Sequence, residues 1–329
     1  MHMRRTFIRA LLGTAVLAGL GSAAVAVAQD APAGWPSRPI RLVLPVVPGG
    51  GMDILSRSIG QHMTERWGQS VIIDNRAGGG TVVATEISAR AAPDGYTLFV
   101  ASDTLRVLGV TKRVQFDVRK AFDPVVAMAG QPYILIVHPG LPAKSIKELI
   151  AHSHKQPLSY GSSGVGTVAH IGLEWFAAHT GAKFIHVPYK GGGQALVALM
   201  GAEIHMYPGL LLSAGGAIKA GKAKPLAALS LTRLPAMPDL PTVAEQGYPN
   251  FKITNSYSIM APAGTARPIV NAVNRLVTDF MHSSAMTQKL AAEGSQAGER
   301  MTPEQFKAFW LKEYEQVERQ VKELKVKLY

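Results

Sequence analysis

Glycine triplets occur at Gly49-Gly50-Gly51, Gly78-Gly79-Gly80 and Gly191-Gly192-Gly193, and a fourth loop, Gly161-Ser162-Ser163-Gly164-Val165-Gly166-Thr167, carries hydroxyls. The first two triplets and the hydroxyl loop lie where an apolar run of strand type hands over to a helical pattern. At such a junction the first amides of the helix have no internal partner, and glycine lets the backbone close around a ligand. The chemistry on offer is an anion site built from backbone N–H groups. Ser162, Ser163 and Thr167 add neutral donors that suit a carboxylate without a buried countercharge. The plain alternative is that these glycines only make tight turns. His170 sits one turn further on, where it either donates to a ligand or caps the helix.

Enzymatic readings find little support. Gly164-Val165-Gly166-Thr167-Val168-Ala169 has the form of a dinucleotide fingerprint, but the position where an acid should hold the ribose is His186. The chain contains no G-x-x-x-x-G-K-[ST] phosphate loop, and Val165 stands where a G-x-S-x-G nucleophile elbow needs its last glycine. His152 and His154 are two apart, hence on different helix faces, and no H-E-x-x-H is present. No catalytic residue, cofactor or metal site is expected.

The loops need a scaffold, and the pattern supplies one. Ile40 to Val47 reads as a strand, and after the first triplet Leu55, Ile59, Met63 and Trp67 recur at helical spacing. Val71 to Ile73, the second triplet and a helical Val83 to Ala91 repeat the unit, and Tyr96 to Ala101 follows a Pro93-Asp94-Gly95 turn. Further strands are expected at Val125 to Met128, Ile134 to Val137, Leu158 to Tyr160, Phe184 to Val187, Ile204 to Tyr207, Leu226 to Ser230 and Ser258 to Ala261. This alternation predicts an α/β architecture with mainly parallel sheets. Capping boxes start helices at Ser145 with Glu148 and at Thr302 with Gln305. In the last helix Phe306, Trp310, Tyr314, Val317, Val321, Leu324 and Leu328 form one apolar stripe, read as core packing.

With 329 residues, 47% of them hydrophobic and 17% charged, the chain can bury a sizeable core, which excludes extensive disorder. It has no cysteine, so disulfides, cysteine-ligated metals, cysteine nucleophiles and an acylated amino terminus are all excluded. Of the formal charge of +12, Arg4, Arg5 and Arg9 account for three. The remaining basic residues are scattered, and the run Lys322 to Lys327 is interleaved with Glu323, Leu324 and Val326 as on a solvated helix face. Nucleic acid is therefore not an expected partner, although small anions would be drawn to such a surface. Arg4-Arg5 followed by apolar Ala10 to Ala28, ending Ala26-Val27-Ala28, reads as a cleaved export signal over residues 1–28, of either the Sec or the twin-arginine type. An uncleaved anchor is the alternative. Export without cysteines points to a bacterial periplasm.

The ordered motifs Trp35-Pro36-Ser37-Arg38-Pro39-Ile40-Arg41, Pro48-Gly49-Gly50-Gly51-Met52-Asp53, Asp74-Asn75-Arg76 and Pro93-Asp94-Gly95-Tyr96-Thr97-Leu98 carry a resemblance that continues through the chain. It is sustained by Tyr160-Gly161-Ser162-Ser163-Gly164, His186-Val187-Pro188-Tyr189-Lys190-Gly191, Pro241-Thr242-Val243-Ala244-Glu245 and Ala261-Pro262-Ala263-Gly264-Thr265. From Trp35 onward the chain resembles the Bug family, the extracytoplasmic solute receptors of tripartite tricarboxylate transporters. The resemblance implies a two-lobed fold of the type II periplasmic-binding-protein kind, with lobe 1 at 35–136 and 257–329, lobe 2 at 137–256, and crossings at the Ile134 and Ile259 strands. It implies a monomer that closes on one small carboxylate and delivers it to membrane transporter subunits.

On that analogy Pro48, Gly50, Gly51, Met52 and Asp53 face the ligand from the first lobe, partly through bridging waters, while Ser162, Ser163, Gly166, Thr167 and His170 grip a carboxylate from the second. Gly79 and Thr81, Ser102, Asp103 and Thr104, Lys190, and Tyr207 with Pro208 complete the wall. Tyr257 and Tyr207 are candidates to stack on an aromatic acid. Acids common in the family are replaced by Ala198 and His205, its aromatic-x-glycine by Ser256-Tyr257-Ser258, and the loop from Ser102 to Gly109 lacks the usual Asn-Pro. The missing acids favour a dicarboxylate or aromatic acid over an amino acid. A ligand sensor with the same pocket, or a hydrolase using Ser163 with His170, are the rival readings.

Overall fold

A computed structural model describes residues 31–292 and 294–324. The export segment expected over residues 1–28 and the end of the apolar stripe at Leu328 lie outside the described residues. In chain order the strands are β1 (Ile40–Leu44), β2 (Val71–Asn75), β3 (Thr97–Ser102), β4 (Phe122–Pro132), β5 (Ile134–Val137), β6 (Leu158–Ser162), β7 (Phe184–Pro188), β8 (Met206–Gly209), β9 (Lys224–Ala228), β10 (Thr254–Pro262) and β11 (Gln296–Ala297). The helices are α1 (Gly51–Trp67), α2 (Val82–Ala89), α3 (Thr104–Val110), α4 (Val118–Ala121), α5 (Ile146–Lys155), α6 (Val168–Thr180), α7 (Gly192–Met200), α8 (Leu211–Lys219), α9 (Arg267–Met281), α10 (Ser284–Ala292) and α11 (Pro303–Leu324).

These strands form two sheets, ordered β11-β4-β10-β3-β1-β2 and β7-β6-β8-β5-β9. Strands joined through a helix pair in parallel, as β1 does with β2 and β3, and β6 with β7 and β8. The expectation of mainly parallel sheets is corrected by β10, which runs antiparallel between β3 and β4, and by β5, antiparallel to both β8 and β9. Strands β5, β10 and β11 thus run against the other strands of their sheets, and the architecture is mixed α/β.

Alternation in the strands assigns each side chain to a layer. In the first sheet Leu42, Leu44, Leu98, Val100 and Ile259 pack beneath α1 and α9, whereas Val43, Phe99 and Met260 meet Leu105 and Leu108 of α3 and Phe306, Trp310 and Tyr314 of α11. In the second, Leu135, Val137 and Tyr160 pack with α5 and α6, and Ile134, Ile136 and Tyr207 with α7 and α8. The Thr302 box forms in full: Gln305 N donates to Thr302 Oγ1 (3.3 Å) and Thr302 N to Gln305 Oε1 (2.8 Å). Thr302→Ala is expected to cost about 1 kcal/mol, read as a lower urea midpoint with unchanged slope.

The chain passes from the first sheet to the second at Tyr133, between β4 and β5, and returns just before β10. Three backbone bonds tie the two passages together: Tyr133 N to Ile253 O (3.0 Å), Leu229 N to Tyr133 O (2.8 Å) and Ile253 N to Leu229 O (2.9 Å). Ile259 lies further on, within the first sheet, paired with Val100 and Val126.

Candidate functional site

The loop before α1 is folded by Asp53. Its carboxylate is 2% exposed and accepts from Gly49 N (3.0 Å), from Arg57 Nε and Nη2 (both 3.0 Å) and from Asn75 Nδ2 (3.0 Å). Burial pushes the Asp53 carboxyl up, but these bonds outweigh it and hold it below the usual range. Asp53 is therefore spent inside the protein as the brace that pulls the Pro48 turn onto α1. Gly51 and Met52 are buried in the first turn, Gly50 is half-buried, and Pro48 is exposed.

Before α2, Gly78, Gly79 and Gly80 all have positive φ (143°, 58° and 60°), and Thr81 follows at φ 80°. A threonine in the left-handed region carries about 1 to 2 kcal/mol of strain. Its Oγ1 is buried without a hydrogen-bond partner. Strain and an unused hydroxyl thus coincide on one residue.

In the hydroxyl loop after β6, two of the three hydroxyls bond back to the loop's own backbone. Ser162 Oγ donates to Gly164 O (3.0 Å), accepts from Gly164 N (3.1 Å) and lies 2.7 Å from His186 Nε2. The Ser162–His186 contact is shorter than the bond to Gly164 O, and which atom donates in it depends on the imidazole tautomer. Thr167 Oγ1 donates to Gly164 O (2.8 Å) and accepts from His170 N (3.4 Å) as the cap of α6. His170 Nδ1 accepts from Gly166 N (3.0 Å), and its ring stacks on His186 with centroids 3.9 Å apart.

Burial first, then the nearby His186 and Arg113, lowers the His170 pKa to about 3, and burial lowers His186 to about 4, so both rings are neutral at pH 7. Ser162, Thr167 and His170 are therefore occupied in shaping the loop, and His170 takes the capping role. Ser163 is half-buried and has no hydrogen-bond partner among the described residues. Ser162 is 0% exposed, so its close pairing with His186 presents no nucleophile to the surface.

The two sheets bring these loops together. A Cβ on Gly164 would lie 3.3 Å from Gly80 Cα, and one on Gly191 would lie 3.3 Å from Val47 Cγ2. Gly51 faces Leu212 and the Tyr257 hydroxyl, while Gly192 faces the Tyr207 hydroxyl. Burial raises the pKa of Tyr207 and Tyr257 further above neutrality, and both hydroxyls are protonated at pH 7. A bulge in β10 between Tyr257 and Ser258 sits at this point of the ladder. Asp103 is tied to Arg106 Nη2 (2.6 Å) and Ser256 N (3.0 Å); Ser102 Oγ accepts from Thr104 N (3.4 Å), and Thr104 is buried. Pro208 is buried in β8, and Lys190 is exposed. The loops at Val47 to Gly51, Gly80, Gly164 and Gly191 thus meet along a seam between the sheets, braced by Asp53, Ser162, Thr167 and His170, with Thr81 and Ser163 as hydroxyls that have no hydrogen-bond partner among the described residues.

Sequence reasoning missed Arg113, Leu212 and Tyr133, which the fold brings to this seam or to the passage between sheets. No local spacing distinguishes them. Two positions read as family departures lie elsewhere: Ala198 is buried in the core beneath α7, and His205 Nδ1 accepts from Ser159 N (3.0 Å) at the opposite end of β6. Among the described residues no three His, Asp or Glu side chains gather to hold a metal.

A family model described as the tripartite tricarboxylate transporter family receptor matches residues 55–326. Protein BugT of Bordetella pertussis is 34% identical over 284 residues, spanning 84% of this chain and 86% of that protein. Among solved structures, an R. palustris protein determined with adipate is 32% identical with a TM-score of 0.83, over 88% of this chain and 98% of the other. MatC of Rhodopseudomonas palustris, with bound malate, is 28% identical with a TM-score of 0.81, over 87% and 100%. The chain therefore belongs to the tripartite tricarboxylate transporter receptor family, the solute-binding receptors that its ordered motifs resemble.

Proposed function

We propose that this chain captures a small dicarboxylate between two lobes in the periplasm and hands it, chemically unchanged, to the membrane subunits of a tripartite transporter. The lobes correspond to 35–136 with 257–329 and to 137–256, and the mature protein acts as a monomer after removal of a Sec or twin-arginine signal. The observation that carries this reading is the meeting of the Gly80 and Gly164 loops from different sheets, with the buried, unpartnered Thr81 Oγ1 beside the contact. Tyrosine hydroxyls, Thr81 and Ser163 offer neutral donors, and the carboxylates of these loops, Asp53 and Asp103, are already bonded, which is the balance an anion needs. Adipate and malate in the related structures support two carboxylates in the ligand. An amino acid is disfavoured because Asp53 and Asp103, the carboxylates in these loops, are already bonded and leave no partner for an ammonium group.

Calorimetric titration with adipate, malate, benzoate and glutamate tests the proposal. A dicarboxylate is expected to bind with one site per chain. Thr81→Val and Ser163→Ala are each expected to weaken it by about 1 to 3 kcal/mol, the range for a hydrogen bond to a charged group. Binding of glutamate or benzoate in preference to both dicarboxylates would overturn the ligand class, and unchanged affinity in both variants would overturn the site.

A further inference from the structure

Arg113 follows α3 in the first sheet's half of the molecule, and Lys112 before it turns the chain at φ 52°. Its guanidinium donates through Nη2 to Gly79 O (3.1 Å) and through Nη1 to Val165 O in the loop of the second sheet. One planar fork thus joins the two loops that meet at the seam. The glycines around it leave it room: a Cβ on Gly80 would lie 3.0 Å from Nη1, and one on Gly166 only 2.7 Å.

Both acceptors are neutral carbonyls, and among the described residues no carboxylate pairs with Arg113. The group lies beside the N-terminal end of α6, where the helix dipole favours anions and opposes cations. His170, the titratable side chain whose pKa it lowers, is neutral. The protein therefore places a half-exposed guanidinium, bonded to neutral carbonyls alone, beside the end of α6 that opposes a cation. A bound anion resolves that conflict.

We infer that Arg113 is the latch that couples closure of the two lobes to the negative charge of the ligand. The inference rests on the receptor reading above. The fork exists only while the loops are together, and an anion at the seam neutralises it there, so anion binding and closure stabilise each other. Arg113 acts as a positioning residue whose charge senses the ligand.

The chain has no cysteine, so a pair introduced at two exposed positions, Arg90→Cys on the first half and Ala178→Cys on α6, takes spin labels without background. Inter-label distances are measured by pulsed electron resonance with and without adipate, alongside stopped-flow release of adipate. In the labelled parent, adipate is expected to shift the distribution to the shorter distance. Arg113→Ala is expected to need about 10- to 100-fold more adipate for the same shift and to release it correspondingly faster, the span of a lost charge-assisted bond. Arg113→Lys keeps the charge and loses the fork, so it should respond to the anion with a smaller closed fraction.

If Arg113→Ala does not fold, as judged by circular dichroism, Arg113→Gln decides in its place. Closure and release identical to the parent would overturn the latch. Should the parent fail to close with either adipate or malate, the dicarboxylate reading falls. The latch is then decided by the ligand-free distributions, where an equal closed fraction in parent and Arg113→Gln would overturn it.

Discussion

Gly80→Ala is expected to weaken ligand binding by about 100-fold or more, the effect of removing roughly 3 kcal/mol from the closed state, while leaving the chain folded. An added methyl would stand 2.5 Å from the Val165 carbonyl oxygen and 3.0 Å from the Arg113 guanidinium, and a backbone oxygen cannot swing aside as a flexible side chain can. The loops must then separate, which removes the Gly80–Gly164 contact and the fork of Arg113 together. Gly49→Ala is the matched control. Its φ of 91° makes alanine similarly strained, but nothing lies within 4 Å of the new methyl. Both variants should lose about 1 to 2 kcal/mol of stability, and only Gly80→Ala should lose binding. Titration calorimetry and urea unfolding on the pair separate the effects; equal affinities would show that the bound state does not bring these loops together.

The second large effect is a steep loss of stability in acid. His170 and His186 titrate at about 3 and about 4 in the folded protein and near 6.5 in the unfolded chain. Above pH 6.5 both states leave the rings neutral, and their stacked, hydrogen-bonded arrangement is fully stabilising. As pH falls below 6.5 the unfolded chain takes up protons that the folded loop refuses. Stability then drops by up to ~1.4 kcal/mol per pH unit for each ring, until the folded values are reached. His186→Gln keeps a hydrogen-bonding partner for Ser162 and removes one titration. Urea unfolding at pH 7, 6 and 5 should show a shallower acid loss in the variant, by about 0.7 kcal/mol from pH 7 to 6 and about 1.2 kcal/mol from pH 6 to 5; parallel curves would mean that His186 is not buried neutral.

Much of the scaffold was legible in local pattern. Ile40 to Val47 and Leu158 to Tyr160 read as strands because short apolar runs end in glycine, and β1 and β6 lie there. The Thr302 to Gln305 box marks the start of α11 because capping chemistry is confined to one turn. The direction of β10 was not legible, since its pairing with β3 and β4 joins segments far apart in the chain and its composition suits either direction.

The sequence points to the loops, and it leaves open what each loop side chain bonds. A serine in a glycine loop is equally suited to a ligand and to its own backbone. Only the fold reveals that Ser162 bends back to Gly164 while Ser163 and Thr81 do not. Asp53 looks like a ligand group because it follows a glycine triplet, yet Arg57 one turn later and Asn75 on the next strand claim its oxygens. Arg113 carries no motif at all, because its importance comes from two carbonyls contributed by separate sheets.

The place of β10 in the first sheet also sets the order in which the molecule can be built. All the strands of the second sheet lie between β4 and β10, so that sheet can be completed by a continuous stretch of chain. The first sheet cannot, because β3 and β4 flank a vacant lane that only β10 fills. A chain emerging amino end first therefore finishes its second half early and keeps two inner strand edges unpaired until the carboxyl-terminal segment arrives. Long-range pairing of this kind is slow and leaves edges open to aggregation. The half that begins first is the last to mature, and its open edges are the ones exposed to mispairing until then.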